Sequence, residues 1–196
     1  MNKLEGFYEL NRAGIPSVPW KEYDSALSLD NDVLWTVRSA VMSGQDLNLP
    51  RKIGVTAEEA KTFAESLKAK LNEYDLVLCY PFFIAEKSGV MEIAQDRVVI
   101  EAVKADLWNL VTFNNKDVTI IISNSDKLYV GDEKFIEDSE LEELLSYSGK
   151  IKQRFRNIML EGKSIFLEWS YAFVSDIKKM PIGEKHLIFY EIRSVV

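Results

Sequence analysis

Two apolar runs near the end of the chain constrain its fold most, because each carries a glutamate inside sequence that is otherwise typical of a buried strand. The first run covers residues 165–169 and contains Glu168, and the second covers residues 187–193 and contains Glu191. If the runs pair as neighbouring strands, the two carboxylates lie side by side and repel by about 3 kcal/mol at a separation of about 5 Å. A positive group must then lie beside them.

Two interpretations meet this need. In the simpler one, which spacing alone favours, Arg193 balances the carboxylates as an ion pair on the surface of a sheet. In the other, the carboxylates hold a divalent cation, and Arg193 lies beside it to bind a phosphate. Both interpretations require the two runs to be adjacent strands.

The alternation of side chains along a strand predicts which residues of these runs share a face. In the second run, one face is predicted to hold Leu187, Phe189, Glu191 and Arg193. The opposite face is predicted to be core and holds Ile188, Tyr190 and Ile192. In the first run, Glu168 is predicted to point away from the face shared by Ile165, Leu167 and Trp169.

The composition is that of a folded globular protein, and it argues against two classes of partner. The chain has 196 residues, of which 47% are hydrophobic and 28% are charged, enough for one large domain or two small lobes. Its net charge of -7 argues against nucleic acid or an anionic membrane as the main partner. The first residues lack the pattern of a signal peptide, and no apolar run approaches the roughly 20 residues that span a bilayer. A cytoplasmic location is therefore expected.

The single cysteine and the single histidine exclude some common chemistries. Cys79 lies in an apolar run and is predicted to be a buried strand thiol rather than a nucleophile. His186 follows a Gly-Glu-Lys sequence and is predicted to lie in a loop. One residue of each kind cannot assemble a Cys/His zinc site, and a Ser-His-Asp triad would depend on His186 alone.

Helix and strand signals follow one another in an order that predicts an α+β protein. A helix is predicted over residues 3–13, a second begins at a capping box of Thr56 and Glu59, and a long one begins at Ser139, with a possible break at Gly149. Residues 42–52 are predicted to be irregular and lack the Gly-Lys-Ser/Thr of a Walker P-loop. Strands are predicted at residues 33–40, 76–83, 88–93, 97–103, 116–123 and 127–130, with a hairpin formed by the third and fourth.

Eight short motifs follow one another along nearly the whole chain. They are Lys3 with the helix that follows it, residues 13–19, Val37-Arg38-Ser39, Ser43-Gly44-Gln45, Ser88-Gly89-Val90, Ile100-Glu101-Ala102, Leu167-Glu168-Trp169 and residues 190–194. In this order they resemble the amino-terminal, ATP-grasp-like ATP-binding domain of pyruvate phosphate dikinase and phosphoenolpyruvate synthase. The resemblance implies an α+β fold with mixed or antiparallel sheets and a nucleotide cleft between two lobes, residues 1–75 and residues 76–196.

The resemblance also implies roles for particular residues. Arg38 and Arg193 are the catalytic residues that it implies. The residues implied to bind the nucleotide are Lys3, Arg38, Gly44, Cys79, Glu101 and Arg193. Glu168 and Glu191 are implied to hold Mg²⁺, which reverses the preference for a simple ion pair. Such a set suits phosphoryl transfer, which depends on positioning and charge neutralisation rather than on a nucleophilic side chain.

The function that the resemblance implies is an ATP- and Mg²⁺-dependent phosphotransferase module that acts on a separate acceptor, either a protein or a small molecule. Retention of the phosphate-binding and acidic positions favours this interpretation. The alternative is a degenerate copy that keeps the fold as a binding or interaction module without turnover, which the short loop between Arg38 and Gly44 favours. A carboxylate–amine ligase on the same type of fold is a third, weaker alternative.

Overall fold

The structure, a computed structural model, describes residues 1–42, 49–108, 110, 115–124 and 126–195. These residues form ten strands and four helices, and every pair of neighbouring strands is antiparallel. The α+β class with antiparallel sheets that the sequence predicts is therefore confirmed. In chain order the elements are α1 (Lys3–Ala13), β1 (Lys21–Glu22), β2 (Trp35–Ala40), β3 (Arg51–Val55), α2 (Ala57–Lys68), β4 (Leu76–Pro81), β5 (Phe83–Ile93), β6 (Arg97–Lys104), β7 (Val118–Ser123), β8 (Asp126–Gly131), α3 (Asp138–Arg154), α4 (Arg156–Leu160), β9 (Ser164–Ser175) and β10 (Pro181–Val195).

The first helix begins and ends with local chemistry that the sequence displays. The Asn2 side chain accepts a hydrogen bond from the backbone N–H of Glu5 at 2.8 Å, and the Glu5 carboxylate accepts one from the Asn2 N–H at 2.9 Å. Helix α1 ends at Gly14, whose φ of 60° lies in the left-handed region that glycine favours. The predicted helix over residues 3–13 is confirmed, as is the capping box of α2.

The long helix α3 begins at Asp138, one residue before the predicted start, and it is not broken at Gly149. A Cβ atom added at Gly149 would meet no other atom within 4 Å, so this glycine lies on an open surface of the helix. The helical run is interrupted only at Phe155, which separates α3 from α4.

The four-stranded sheet has the strand order β1-β4-β2-β3, and α2 covers one of its faces. Strand β3 begins at Arg51, inside the segment predicted to be irregular, so that prediction is wrong at its end. The backbone of β2 supplies the pairing that makes β3 a strand, and this long-range partner is not visible in local sequence. Strand β4 pairs with both β1 and β2, and the chain passes to the second sheet at Phe82.

The six-stranded sheet has the strand order β10-β9-β5-β6-β7-β8, with α3 and α4 packed on one face. The predicted hairpin is confirmed as β5 and β6. The core on the helical face includes Met91, Ile100, Ile120, Leu144, Ile151, Ile165, Leu167, Trp169 and Phe189. None of the described helices is long and apolar enough to cross a membrane.

A third hydrophobic cluster joins the two sheets through α1. Leu4 and Phe7 of this helix pack with Leu78 and Tyr80 of β4 and with Ile188 of β10. The helix lies very close to β10, since a Cβ atom added at Gly6 would lie 2.7 Å from the carbonyl oxygen of Ile192. This contact fixes the beginning of α1, and therefore the backbone of Lys3, against the last strand.

Gly89 is expected to be intolerant of any side chain. A Cβ atom there would lie 2.3 Å from the carbonyl oxygen of Glu101 and 2.4 Å from a ring carbon of the fully buried Trp169. Because neither neighbour can move freely, we expect Gly89→Ala to lower the free energy of unfolding by about 2–3 kcal/mol in urea denaturation. The control is Gly149→Ala, which is expected to raise it by about 0.5–1 kcal/mol. Equal stabilities for the two variants would contradict this packing.

Candidate functional site

The two glutamates predicted from the sequence lie directly opposite each other on adjacent strands. Glu168 of β9 and Glu191 of β10 are Cα partners in the antiparallel register. The two apolar runs therefore pair, and the predicted juxtaposition of the carboxylates is confirmed. Both side chains are partly buried, on the sheet face that is opposite to α3.

A β-bulge at Tyr190 determines which side chains of β10 reach this face. Phe189 pairs with Trp169, but Glu191 already pairs with Glu168, so Tyr190 is an extra residue between two consecutive pairs. The predicted alternation is therefore wrong beyond Phe189. The residues of β10 in the core beneath α3 are Leu187, Phe189 and Ile192. Without the bulge, Glu191 would point into that apolar core, which charge burial forbids.

Three cations surround the carboxylate pair. The Nζ atom of Lys3, at the start of α1, lies 3.5 Å from Oε2 of Glu191. The Nη1 atom of Arg193 lies 3.9 Å from Oε1 of the same carboxylate, and its guanidinium lies 4.6 Å from the centre of the Phe166 ring. The third cation, Arg38, comes from β2 of the other sheet, where its guanidinium lies 5.5 Å from the Phe7 ring.

The electrostatic state of Glu168 reflects this crowded environment. Burial raises the pKa of its carboxyl group to about 7, and repulsion by Glu191 acts in the same direction. The charges of Arg193, Lys3 and Arg38 lower the pKa but do not cancel these two effects. The charged form of Glu168 is therefore disfavoured in the ligand-free protein.

A second buried carboxylate, Glu140 of α3, shows the opposite behaviour and serves as a comparison. Its oxygens accept hydrogen bonds from Lys87 at 2.6 Å and from Lys185 at 3.1 Å. Burial raises its pKa, but the hydrogen bonds from Lys87, the Glu137 backbone and Lys185 outweigh that effect, and the pKa is lowered overall. Glu140 is thus a paired structural carboxylate, whereas Glu168 has no hydrogen-bond donor of this kind among the described residues.

A cavity of about 370 Å³ lies between the two sheets and is lined by Glu168 among other residues. Its wall includes Arg38 from the four-stranded sheet and Tyr190 from the bulge. Ser88 and Ser170 also line it, and their hydroxyl oxygens lie 2.7 Å apart in a buried hydrogen bond. Sequence reasoning missed both serines, although Ser170 lies two residues after Glu168 and alternation places it on the same face.

The two arginines of the site each have an unused donor. The Nε atoms of Arg38 and Arg193 are buried, and neither has a hydrogen-bond partner within the described part of the chain. A buried N–H group without a partner costs about 1–3 kcal/mol, so such groups are usually satisfied by a bound molecule or water. The site thus provides two guanidinium groups that can donate hydrogen bonds to an anionic ligand.

Other residues of the predicted site lie elsewhere or cannot be placed. Cys79 pairs with Val37 and shares its face, so its thiol is buried in the core against α2, where burial raises its pKa to about 12. Its side chain does not line the cavity, so Cys79 is not part of the proposed site. Glu101 of β6 forms an ion pair with Lys116, and Val90 of β5 separates it from Glu168 in the sheet.

Two further predictions concern a glycine and a histidine. Gly44 lies in residues 43–48, which are outside the described residues. His186 lies in β10 rather than in a loop, so that prediction is wrong. Its ring packs edge-on against Phe83, with 5.9 Å between the ring centres.

The donor set of the site fits a magnesium ion that also binds phosphate. The described residues contain no group of three or more His, Cys, Asp or Glu residues placed to hold a metal. Two carboxylates alone are typical of Mg²⁺ sites, in which phosphate oxygens and water complete the octahedron. The arrangement does not fit a self-contained metal centre such as structural zinc.

Comparison with known proteins supplies no further assignment. A scan against protein-family models gave no match, and a search of curated proteins gave none either.

Proposed function

We propose that the protein binds ATP and Mg²⁺ in the cavity between its two sheets and transfers a phosphoryl group to a separate acceptor. The acceptor is a protein or a small molecule. In this proposal the two sheets are the lobes of an ATP-grasp-like domain and the cavity is the nucleotide cleft. The single observation that carries it is the convergence of Glu168 and Glu191 with three cations, two of which have buried Nε atoms without a hydrogen-bond partner among the described residues.

The charges of the site are complementary to a metal–triphosphate complex. Lys3, Arg38 and Arg193 contribute three positive charges, and Glu168 and Glu191 contribute at most two negative ones. The five side chains together therefore carry at least one net positive charge. A triphosphate with one Mg²⁺ carries a charge of about -2, so it turns a positive site into a nearly neutral one.

Glu168 and Glu191 are the residues that would hold Mg²⁺. Their carboxylates provide hard anionic oxygens on adjacent strands, and burial together with the charge of Glu191 raises the pKa of Glu168, so a bound cation would favour its charged form. When bound, the metal would neutralise charge on the phosphate oxygens. The remaining contacts to the nucleotide would come from side chains of the protein itself.

The two arginines would bind and orient the phosphates from opposite sides. Arg38 approaches from the four-stranded sheet and Arg193 from the six-stranded sheet, and guanidinium groups bind phosphate through paired hydrogen bonds. Holding the phosphates between two sheets aligns them with an acceptor and stabilises the charge that develops during transfer. No nucleophilic side chain is required for this reaction class.

The proposal predicts that ATP with Mg²⁺ stabilises the protein. At a concentration one hundredfold above its dissociation constant, a ligand of the folded state raises the free energy of unfolding by about 2.7 kcal/mol. The measurement is a thermal-shift and calorimetric titration with ATP, ADP and AMP, each with and without Mg²⁺. We expect the affinity to follow the number of phosphates. A melting temperature that millimolar nucleotide leaves unchanged would contradict nucleotide binding.

A second candidate is a non-catalytic binding module with the same fold. It is favoured by the ion pairs of Glu191, which already connect it to Lys3 and Arg193 without any ligand. Both candidates can bind ATP, so binding does not separate them. Release of phosphate or ADP above the rate of a Glu168→Gln variant would favour the phosphotransferase, and its absence would favour the binding module.

A further inference from the structure

Lys3 lies beside Glu191, one of the two carboxylates to which the proposed function assigns a metal. Its Nζ atom is 3.5 Å from Oε2 of Glu191, and the side chains of Lys3 and Glu191 are only 20% and 12% exposed. The ammonium group is thus the positive charge that the structure places closest to this carboxylate, since Arg193 is 3.9 Å away.

The backbone of Lys3 is fixed, so only its side chain can make room. The capping box of Asn2 and Glu5 closes the first turn of α1 around it. The Asn2 side chain also donates to the carbonyl oxygen of Met42 at 2.8 Å, and Gly6 lies against the backbone of Ile192. Retreat of the whole helix would disrupt these contacts. Rotation of the flexible lysine stem would not, because its four-carbon chain has several rotamers.

Charge makes the entry of metal alone unfavourable. The three cations and two carboxylates carry a net positive charge, and a divalent cation adds two more. The ion would also compete with the Lys3 ammonium for the same carboxylate. A triphosphate reverses both effects, since it supplies negative charge and offers new acceptors to Lys3 and the two arginines.

We propose that the Lys3 ammonium takes the place of a divalent metal at Glu191 in the ligand-free protein. A metal therefore binds to Glu168 and Glu191 only together with a polyphosphate. When the polyphosphate binds, the Lys3 ammonium would turn from Glu191 to a phosphate oxygen, which would leave the carboxylates of Glu168 and Glu191 able to hold the metal. Metal and nucleotide therefore bind with strong positive coupling, which by linkage is equal in both directions. This inference deepens the proposed function and rests on it for the identity of the polyphosphate.

The test uses Mn²⁺ as a substitute for Mg²⁺ and follows free Mn²⁺ by electron paramagnetic resonance, which does not depend on activity. In the parent protein, Mn²⁺ alone is expected to bind at least one hundredfold more weakly than Mn²⁺ with ATP, after subtraction of the Mn²⁺ that ATP binds in the absence of protein. Lys3→Met keeps the apolar stem and removes the charge. We expect it to bind Mn²⁺ without nucleotide at least tenfold more tightly than the parent does.

Two controls make the result specific. Lys163→Met removes an exposed lysine whose ion-pair partner is Glu161, 2.9 Å away, rather than Glu168 or Glu191, and it should behave like the parent. Lys3→Arg keeps the charge and should also bind Mn²⁺ alone as weakly as the parent does. Unchanged Mn²⁺ affinity in folded Lys3→Met would overturn the proposal. In a parent protein that binds ATP, equal Mn²⁺ affinities with and without ATP would overturn it as well.

The outcomes separate this inference from the proposed function. The comparison of Lys3→Met with the parent uses Mn²⁺ alone, so it remains decisive even if the protein does not bind ATP. If the parent binds ATP with Mg²⁺ but Lys3→Met gains no affinity for Mn²⁺, the role of Lys3 is wrong and the nucleotide site stands. If Lys3→Met does not fold, the coupling measured in the parent decides the matter.

Discussion

Glu168→Gln is expected to make the ligand-free protein more stable than the parent, and the difference should grow as the pH rises. The pKa of Glu168 is about 7 in the folded protein and 4.5 in the unfolded reference. A carboxyl group with a raised folded pKa stabilises the fold below pH 4.5 and loses that contribution as the pH rises toward 7. At about 1.4 kcal/mol per pKa unit, the loss amounts to about 3 kcal/mol at pH 8.

The measurement is urea denaturation of both proteins at several pH values from 4.5 to 8. The variant cannot ionise at this position, so its advantage over the parent should be small at the acid end and about 3 kcal/mol at the alkaline end. Glu140→Gln is the control, because the pKa of Glu140 is lowered by its lysine partners. It should lose about 1–3 kcal/mol at pH 8. A pH-independent difference for Glu168→Gln would contradict the electrostatic description of the site.

Arg38→Ala is expected to produce the largest loss of nucleotide affinity that a single substitution on the four-stranded sheet can cause. Its guanidinium lines the cavity, its Nε atom has no partner among the described residues, and it contributes to the potential at Glu168. Hydrogen bonds to charged groups contribute about 1.5–3 kcal/mol each, so the dissociation constant for ATP should rise by about 10–100-fold.

The loss should be similar with and without Mg²⁺, because the arginine acts on the phosphates and not on the metal. Calorimetric titration of ATP into Arg38→Ala and into the exposed control Arg156→Ala measures it. Arg156→Ala should bind ATP like the parent. If Arg38→Ala also binds ATP like the parent, Arg38 does not contact the ligand and the cavity is not the nucleotide cleft.

Local patterns in the sequence predict a large part of this fold. Capping residues and the left-handed Gly14 define α1. Alternation predicts that Ile165, Leu167 and Trp169 share one face, and in the structure that face packs beneath α3. These features depend on chemistry within a few residues of the chain. Strand β3 depends instead on a partner that is distant in sequence, which explains why its segment is predicted to be irregular.

The candidate site shows the same division between local and long-range information. Pairing of the two acidic runs places Glu168 beside Glu191, as the sequence predicts. The bulge at Tyr190 cannot be derived from alternation, but alternation without it would bury Glu191 among Leu187 and Phe189. That physical conflict is the signal from which the bulge could have been inferred.

The position of Cys79 illustrates the limit of matching motifs without a register. The sequence predicts the strand that contains Cys79. The face on which the Cys79 side chain lies depends on the pairing of this strand with β2, which sets Cys79 beside Val37. The residues of β4 on the opposite face are Leu78 and Tyr80, and Tyr80 lines the cavity instead. A shift of one residue along a strand is enough to exchange a core residue for a lining residue.

The most direct test of the central claim, that Glu168 and Glu191 form a metal site for a bound nucleotide, is the Mg²⁺ dependence of ATP affinity. The ratio of ATP dissociation constants without and with Mg²⁺ is measured by calorimetry in the parent and in Glu168→Gln. We predict a ratio well above one in the parent that falls at least tenfold in the variant, because Mg²⁺ prefers anionic oxygens and the substitution removes one. A ratio that is the same in both proteins would show that Glu168 holds no metal.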